Sequence, residues 1–336
     1  MADILNLGLI GAGRIGRLHA EHVATRIPNA RTLIVADVDE EAARACADRW
    51  RVNYAVRDYE TILQSPAIDA VLICSATHTH AKIIMEAAQA GKHIFCEKPI
   101  DHNLAVIDLA LAAVEKAGAK FQVGFNRRFD ANYARVRRAI AEGEIGQPQL
   151  LHIISRDPAP PPISYIRVSG GLFLDMMIHD FDMARFLMGC EVTEVYAAGG
   201  VLIAPEIGAA GDLDTAMVML KFEGGALGVI DNSRQAVYGY DQRVEVLGSA
   251  GSIATANNYP NSAVVSTAHT VRRDLPLNFF LERYVESYVA ELQQFVDAVL
   301  HDAPVPVTGH DGRVPVVMAL AARQSLEENR PVRVMG

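Results

Sequence analysis

The sequence predicts an α/β protein in two parts: a doubly wound parallel sheet, then an α+β domain on a mainly antiparallel open sheet. Three observations carry this. Short apolar runs alternate with helical segments over the first 125 residues, a glycine-rich turn joins the first run to the first helix, and later runs follow one another through tight turns. Buried strands that alternate with helices need parallel pairing, whereas sequential strands with tight turns need antiparallel pairing. At 336 residues the chain is long for one domain, so the expected division is 1–125 and 126–336.

The first apolar run, residues 5–10, ends in Gly11-Ala12-Gly13-Arg14-Ile15-Gly16 and opens a helix that extends to about Ile27. A second run, 32–36, ends in Asp37; strands at 70–74, 93–96 and 120–125 follow, separated by helices around 40–49, 79–90 and 104–116. Beyond 125 come a helix at 132–142, a strand at 149–155, a proline-rich loop at 157–162 and a long helix at 170–189. Strands are then expected at 192–201, 215–222, 226–232, 243–247 and 263–267, with closing helices at 279–301 and 311–327.

Composition removes several classes of function. A net charge of −9 disfavours nucleic acid and anionic membranes as partners. The four cysteines are scattered, with neither a C-x-x-C nor a zinc spacing, as in a reduced cytoplasmic protein. No run reaches the ~18 apolar residues of a membrane span, and the first residues show no basic segment followed by an apolar core.

The glycine loop carries the first chemistry. Gly11 permits a tight turn, Gly13 lets the backbone approach a pyrophosphate, and Gly16 allows close packing of helix on strand, while the helix N-terminus offers free N–H groups. Asp37 stands 21 residues after Gly16, the position of an acid that accepts from a ribose diol. It is followed by Val38-Asp39-Glu40-Glu41, with no cation to hold a 2′-phosphate. A Rossmann-type domain that takes NAD rather than NADP is expected. Ligands on such sheets bind beyond the C-terminal strand ends. That edge also receives the stretch Ala76, Thr77, His78, Thr79, His80 and the turn Glu97-Lys98-Pro99. Ala76, Thr77, His80, Glu97 and Lys98 are therefore cofactor-side candidates, although a histidine there is also an ordinary helix-start residue and the lysine an ordinary solvated one.

The helix at 170–189 places Asp175, His179 and Asp182 in one narrow stripe at i, i+4 and i+7, with Leu, Met, Ile, Phe and Ala around the rest. An ordinary solvated face is one account of this. The other is a polar-lined cleft, in which a carboxylate one turn from an imidazole prepares a general base.

With these motifs assembled, the chain resembles the glucose–fructose oxidoreductase/inositol dehydrogenase (Gfo/Idh/MocA) family over essentially its whole length. The resemblance rests on the GAGRIG loop, Asp37, Glu97-Lys98-Pro99 and the Asp175/His179 pair. Further segments are of the inositol 2-dehydrogenase subgroup's type: GFNRRFD (124–130), SRDPAP (155–160), YGYDQR (238–243) and NFFLERY (278–284). It implies NAD-dependent oxidation of myo-inositol to the 2-keto compound. His179 would be the base, Lys98 would hydrogen-bond the reacting oxygen, and Asp175 would anchor the ring and hold Lys98, or else tune His179. Arg127, Arg156 and Tyr238, with Asp182, are candidates for the remaining hydroxyls, and the 157–162 loop for selecting the stereoisomer. Many members carry proline where this chain has His78, which leaves that backbone less fixed. The family commonly builds tetramers through its open sheet, so a homotetramer is implied. No metal is expected, since the chain lacks further His or Cys at ligand spacing. Scyllo-inositol and an aldopyranose remain open as substrates, and a non-catalytic NAD-binding regulator is the reading from another class.

Overall fold

The computed structural model describes residues 4–335. In chain order the elements begin β1 (Leu5–Ile10), α1 (Arg14–Arg26), β2 (Ala30–Ala36), α2 (Glu40–Trp50), β3 (Tyr54–Val56), α3 (Glu60–Gln64), β4 (Ala70–Ile73), α4 (Thr77–Gln89), β5 (His93–Glu97), α5 (Leu104–Ala117) and β6 (Phe121–Gly124). They continue as α6 (Ala131–Ala141), β7 (Pro148–Arg156), α7 (Ile163–Ser169), α8 (Leu172–Asp175), α9 (Ile178–Met188), β8 (Val192–Gly200), α10 (Pro205–Ala209), β9 (Thr215–Phe222) and β10 (Leu227–Ser233). The last are β11 (Asp241–Gly248), β12 (Gly251–Ala254), β13 (Val264–Ser266), β14 (Val271–Arg273), α11 (Phe280–Arg283), α12 (Val285–Leu300), α13 (Gly309–Glu328) and β15 (Val332–Arg333).

The chain forms two compact units. One comprises the residues up to Asn126 together with Glu286–Val314; the other comprises Arg127–Val285 and the residues from Pro315 onward. The expected second domain of 126–336 therefore needs amending. Helix α12 presents Leu292, Phe295 and Val296 at i, i+3 and i+4, and all three are buried in the core of the first unit. Burying each side chain stabilises by about 1.5–3 kcal/mol, which explains why the chain returns to that unit.

In the first unit six strands pair in parallel in the order β3-β2-β1-β4-β5-β6. Both faces of the sheet are covered, so its strands are continuously apolar; all four residues of β4 are buried. Leu7, Leu9, Val35, Leu72 and Phe95 form its centre. The strand order reverses between β1 and β4, the switch point at which such sheets open a crevice for ligands.

The second unit holds a seven-stranded sheet, β12-β11-β7-β10-β9-β8-β15. Only β7 and β10 pair in parallel among its described pairs, and the rest are antiparallel. Its strands alternate as a one-faced sheet should: Leu151, Ile153 and Ser155 of β7 are buried, whereas Leu150 and His152 are exposed. Helix α9 packs on β7, with α6 against α9. The expected strand at 263–267 forms instead, with β14, a separate two-stranded hairpin.

The expected helix over 170–189 is also amended. It is two pieces, α8 and α9, joined through Met176 and Met177. At the joint the Met177 N–H donates to Leu172 O, five residues back, at 2.9 Å. The His179 and Asp180 N–H groups then donate only three residues back, at 3.4 and 2.8 Å. Mixed wide and tight turns of this kind often mark functional positions.

Candidate functional site

In the first unit the glycine loop is shaped by what a side chain would strike. Gly11 has φ +99°, and a Cβ there would lie 2.6 Å from the Cys74 carbonyl. A Cβ on Gly16 would approach the Gly11 oxygen to 1.8 Å, so α1 rests directly on loop backbone. Gly13 differs, with nothing within 4 Å of its Cβ position. It is the N-cap of α1 and supplies no side-chain cap, and Arg14 and Ile15 begin the helix. The orphan N–H groups of that first turn are the kind that phosphate oxygens satisfy.

Asp37 sits at the end of β2, where it accepts from the Ala12 N–H at 2.6 Å and the Asp39 N–H at 2.9 Å. A carboxylate has about four lone-pair sites. Two are used to fix its orientation, and two are left for vicinal hydroxyls. A 2′-phosphate would meet this charge and that of Asp39, Glu40 and Glu41. The residues fit NAD.

Beyond β4 lies a second helix start. Thr77 opens α4, Ala76 is its N-cap, and no side chain caps it. His80 is placed differently from expectation. It is buried, and its ring nitrogens stand 2.8 Å from Pro99 O and 3.0 Å from Ser75 O. The ring is thus a brace between two loops, and its nitrogens have no bond left for a nucleotide. Burial pushes its pKa below the usual value, while the two carbonyls pull it up. Glu97 needs the same correction, since its carboxylate turns inward to His19 Nε2 at 2.7 Å. Lys98, next to it, is half-exposed.

In the second unit Asp175 ends α8 and His179 falls in the first turn of α9; both are half-buried. Asp175 Oδ1 accepts from the Tyr165 hydroxyl at 2.7 Å, and Oδ2 lies 3.5 Å from Arg234 Nη1. Arg234 is 1 % exposed and also pairs with Asp212 at 3.2 Å. Asp157 belongs to this group as well. Burial pushes its carboxyl up to about 6, Arg234 opposing and the Asp175 charge adding to the rise. Sequence reasoning did not single out Asp157, Tyr165 or Arg234. Asp157 lies inside the quoted SRDPAP segment and was within reach; no spacing signals Arg234.

The other candidates are held elsewhere. Arg127 is buried and donates to Asp180 at 2.6 Å, with Ser155 and Tyr240 also around it. Asn232 donates to the same Asp180. This internal ion pair anchors Arg127 in the unit's core. Asp182 is equally buried and is chelated by Arg128 Nε and Nη2. The expected stripe of Asp175, His179 and Asp182 therefore separates, because Asp182 faces the interior. Arg156 pairs with Asp231 and donates to the Tyr238 hydroxyl at 3.2 Å, and that hydroxyl donates to Asp241 at 2.6 Å. Strand alternation puts Arg156 on the sheet face opposite Ser155. Arg156 and Tyr238 are thus drawn into a separate network.

Comparison with known proteins agrees with this geometry. Residues 5–125 match the model for an oxidoreductase family with an NAD-binding Rossmann fold, and residues 133–254 match the GFO/IDH/MocA C-terminal domain. The chain is 52 % identical to the uncharacterized oxidoreductase YrbE of Bacillus subtilis, over 97 % of its own length and 96 % of the relative's. It is 49 % identical to a myo-inositol 2-dehydrogenase of Thermotoga maritima, over 98 % of each chain. The crystal structure of scyllo-inositol dehydrogenase from Lactobacillus casei with bound NAD(H) and scyllo-inositol superposes with a TM-score of 0.93, at 31 % identity over 99 % of each chain. With the uncapped glycine loop and Asp37 in one unit and the family's C-terminal sheet in the other, this chain belongs to the Gfo/Idh/MocA family of NAD-binding oxidoreductases.

Proposed function

We propose that the protein is an NAD-dependent inositol 2-dehydrogenase, oxidising the 2-hydroxyl of myo-inositol to give the 2-keto compound, scyllo-inosose. The observation that carries this reading is the likeness, over nearly the full length, to the Thermotoga myo-inositol 2-dehydrogenase. This chain also has Asp175, paired with the buried Arg234, and His179 four residues on.

Bound NAD⁺ supplies the hydride acceptor. The chain's own residues do the rest. His179 takes the hydroxyl proton as the C–H bond yields its hydride, so the products are ketone, NADH and one proton. Lys98 donates to the same oxygen and stabilises its developing negative charge. Asp175, fixed by Tyr165 and Arg234, accepts from ring hydroxyls, and Asp157 offers a second carboxyl to them. A ligand with a hydroxyl on every carbon demands such a lining, since each unmatched group loses a hydrogen bond. The cofactor is held by Gly11, Ala12, Gly13, Arg14 and Ile15 at its phosphates, by Asp37 at the ribose, and by the Ala76-Thr77 helix start. We further propose a cytoplasmic homotetramer that covers the outer face of the second sheet, where Met217, Met219 and Leu227 are exposed.

The deciding experiment follows NADH formation with NAD⁺ and a panel of myo-inositol, scyllo-inositol and aldopyranoses. Turnover is expected to be fastest on myo-inositol. Preference for scyllo-inositol would move the chain to the specificity of its Lactobacillus neighbour, and no turnover on any polyol would sink the reading. His179→Ala is expected to lower kcat by roughly 10²–10⁴ while NAD⁺ still binds.

A further inference from the structure

Behind Lys98, inside the first unit, lies a cluster of titratable groups that the reaction does not use. His19 comes from α1, Glu97 from the end of β5 and Glu291 from α12. One ligand atom of each lies within 4.8 Å of the others. His19 and Glu291 are completely buried, and the Glu97 side chain is 12 % exposed. His19 Nε2 stands 2.7 Å from Glu97 Oε1. The imidazole is held edge-on by Phe95 and Tyr288, with ring centroids 5.3 and 5.8 Å away. Across from it, a Cβ on Gly124 would lie 3.2 Å from the Glu97 carboxyl group. Glu97 is therefore confined on several sides.

We propose that His19 is a positioning residue for Lys98: with Glu291 close beside the pair, its hydrogen bond clamps Glu97 and so fixes the backbone that presents the lysine. A carboxylate drawn into the interior needs a partner, and His19 supplies one to Glu97 at 2.7 Å. The contact length supports a proton here over a cation. Two atoms that share a metal ion at ~2.0–2.1 Å each would stand roughly 3 Å apart or more, whereas the His19–Glu97 contact of 2.7 Å is that of a charge-assisted hydrogen bond.

The consequence for Lys98 follows from its neighbours. Glu97 is held by its side chain to His19, and Pro99 by its carbonyl to the His80 ring at 2.8 Å. The backbone is pinned immediately before and immediately after the lysine. Misplacing a catalytic group by about 1 Å can cost on the order of 10²-fold in rate.

The inference rests on the proposed role of Lys98, and its test separates the two. Wild type, His19→Leu, His19→Gln and Glu291→Gln are compared by amide hydrogen exchange over residues 95–101, by NAD⁺ affinity and by steady-state kinetics on the polyol. His19→Leu should speed exchange in that segment and lower kcat by about 10–100-fold, with NAD⁺ affinity and the KM for polyol nearly unchanged. His19→Gln, which keeps a donor near Glu97, should recover most of the rate. Glu291→Gln should fall between them, and treatment of the wild type with a chelator should change nothing. Unaltered exchange in His19→Leu, a normal kcat, or a loss explained by weaker NAD⁺ binding would each overturn the clamp. So would activity that disappears with the chelator. If the wild type turns over no polyol, the substrate reading fails while the exchange result still decides the clamp.

Discussion

Arg234 holds Asp175 in place while being almost entirely shut away from water. Its Nη1 lies 3.5 Å from Asp175 and its Nη2 3.2 Å from Asp212, and its exposure is 1 %. Asp212 in turn accepts from the Leu172 N–H at 2.9 Å, where α8 begins. One guanidinium thus orients a proposed substrate-binding acid and, through a second acid, anchors the helix that carries it.

Removing that guanidinium should be costly in two distinguishable ways. Arg234→Gln leaves Asp175 and Asp212 without their shared cation, and breaking a buried pair typically costs about 3–5 kcal/mol. Urea unfolding should show a loss of this size. Arg234→Lys keeps the charge but not the fork that spans two carboxylates. It should fold better than Arg234→Gln, yet bind polyol more weakly, with a raised KM. Equal KM values for wild type and Arg234→Lys would remove Arg234 from substrate positioning.

The glycines of the phosphate loop separate folding from binding. Gly16→Ala would drive a Cβ to 1.8 Å from the Gly11 oxygen, so backbone must shift. Overpacking of this kind costs typically 1–3 kcal/mol, and both Tm and NAD⁺ affinity should fall. Gly13→Ala meets open space and a negative φ of −70°. Its Tm should stay near wild type while NAD⁺ affinity drops, because the methyl group would stand where the pyrophosphate approaches. A Gly13→Ala variant with normal NAD⁺ affinity would place the phosphates elsewhere.

Asp157 makes the second unit sensitive to pH in the direction opposite to most acids. Its pKa is raised to about 6 in the folded chain, so the fold binds the proton more tightly than the unfolded chain does. The stability this contributes is fully present below about pH 4 and is lost as pH rises through 6. With its partial exposure taken into account, the change is roughly 1–2 kcal/mol. Asp157→Asn cannot ionise and escapes it. Measured against wild type, the variant should gain relative stability between pH 4 and pH 7.5. A difference independent of pH would show that the carboxyl titrates normally.

What could be read from the sequence was mostly local. The Gly11–Gly16 loop and Asp37 are legible because strand, turn, helix and next strand follow in fixed covalent order, and because the helix start and the acid have chemical reasons to stand there. The spacing of Asp175 and His179 is visible in the sequence, whereas the break between them at Met176 and Met177 is not. Contacts across long stretches of chain left no trace. His19 and Glu97 are 78 residues apart, and no periodicity announces their meeting. Arg127 and Arg156 show a related limit: a cation in a polar motif looks available until its partner, Asp180 or Asp231, is seen. The return of α12 to the first unit was hidden likewise, since its apolar stripe says that it is buried without saying against what.

His22 should set part of the acid limit of the first unit. It lies on α1, 4 % exposed. Burial, reinforced by the nearby His19 and Arg26 and opposed by Glu286, lowers its pKa to about 4. The unfolded chain takes up this proton near pH 6.5, whereas the folded chain refuses it until about pH 4. Stability from this group is therefore complete above 6.5 and declines as pH falls towards 4. Between pH 7 and pH 5 the loss amounts to about 2 kcal/mol. His22→Gln has nothing to titrate, so its urea midpoint should fall less than that of wild type over the same interval. If the two lose stability in parallel, the acid sensitivity of the first unit originates in other groups.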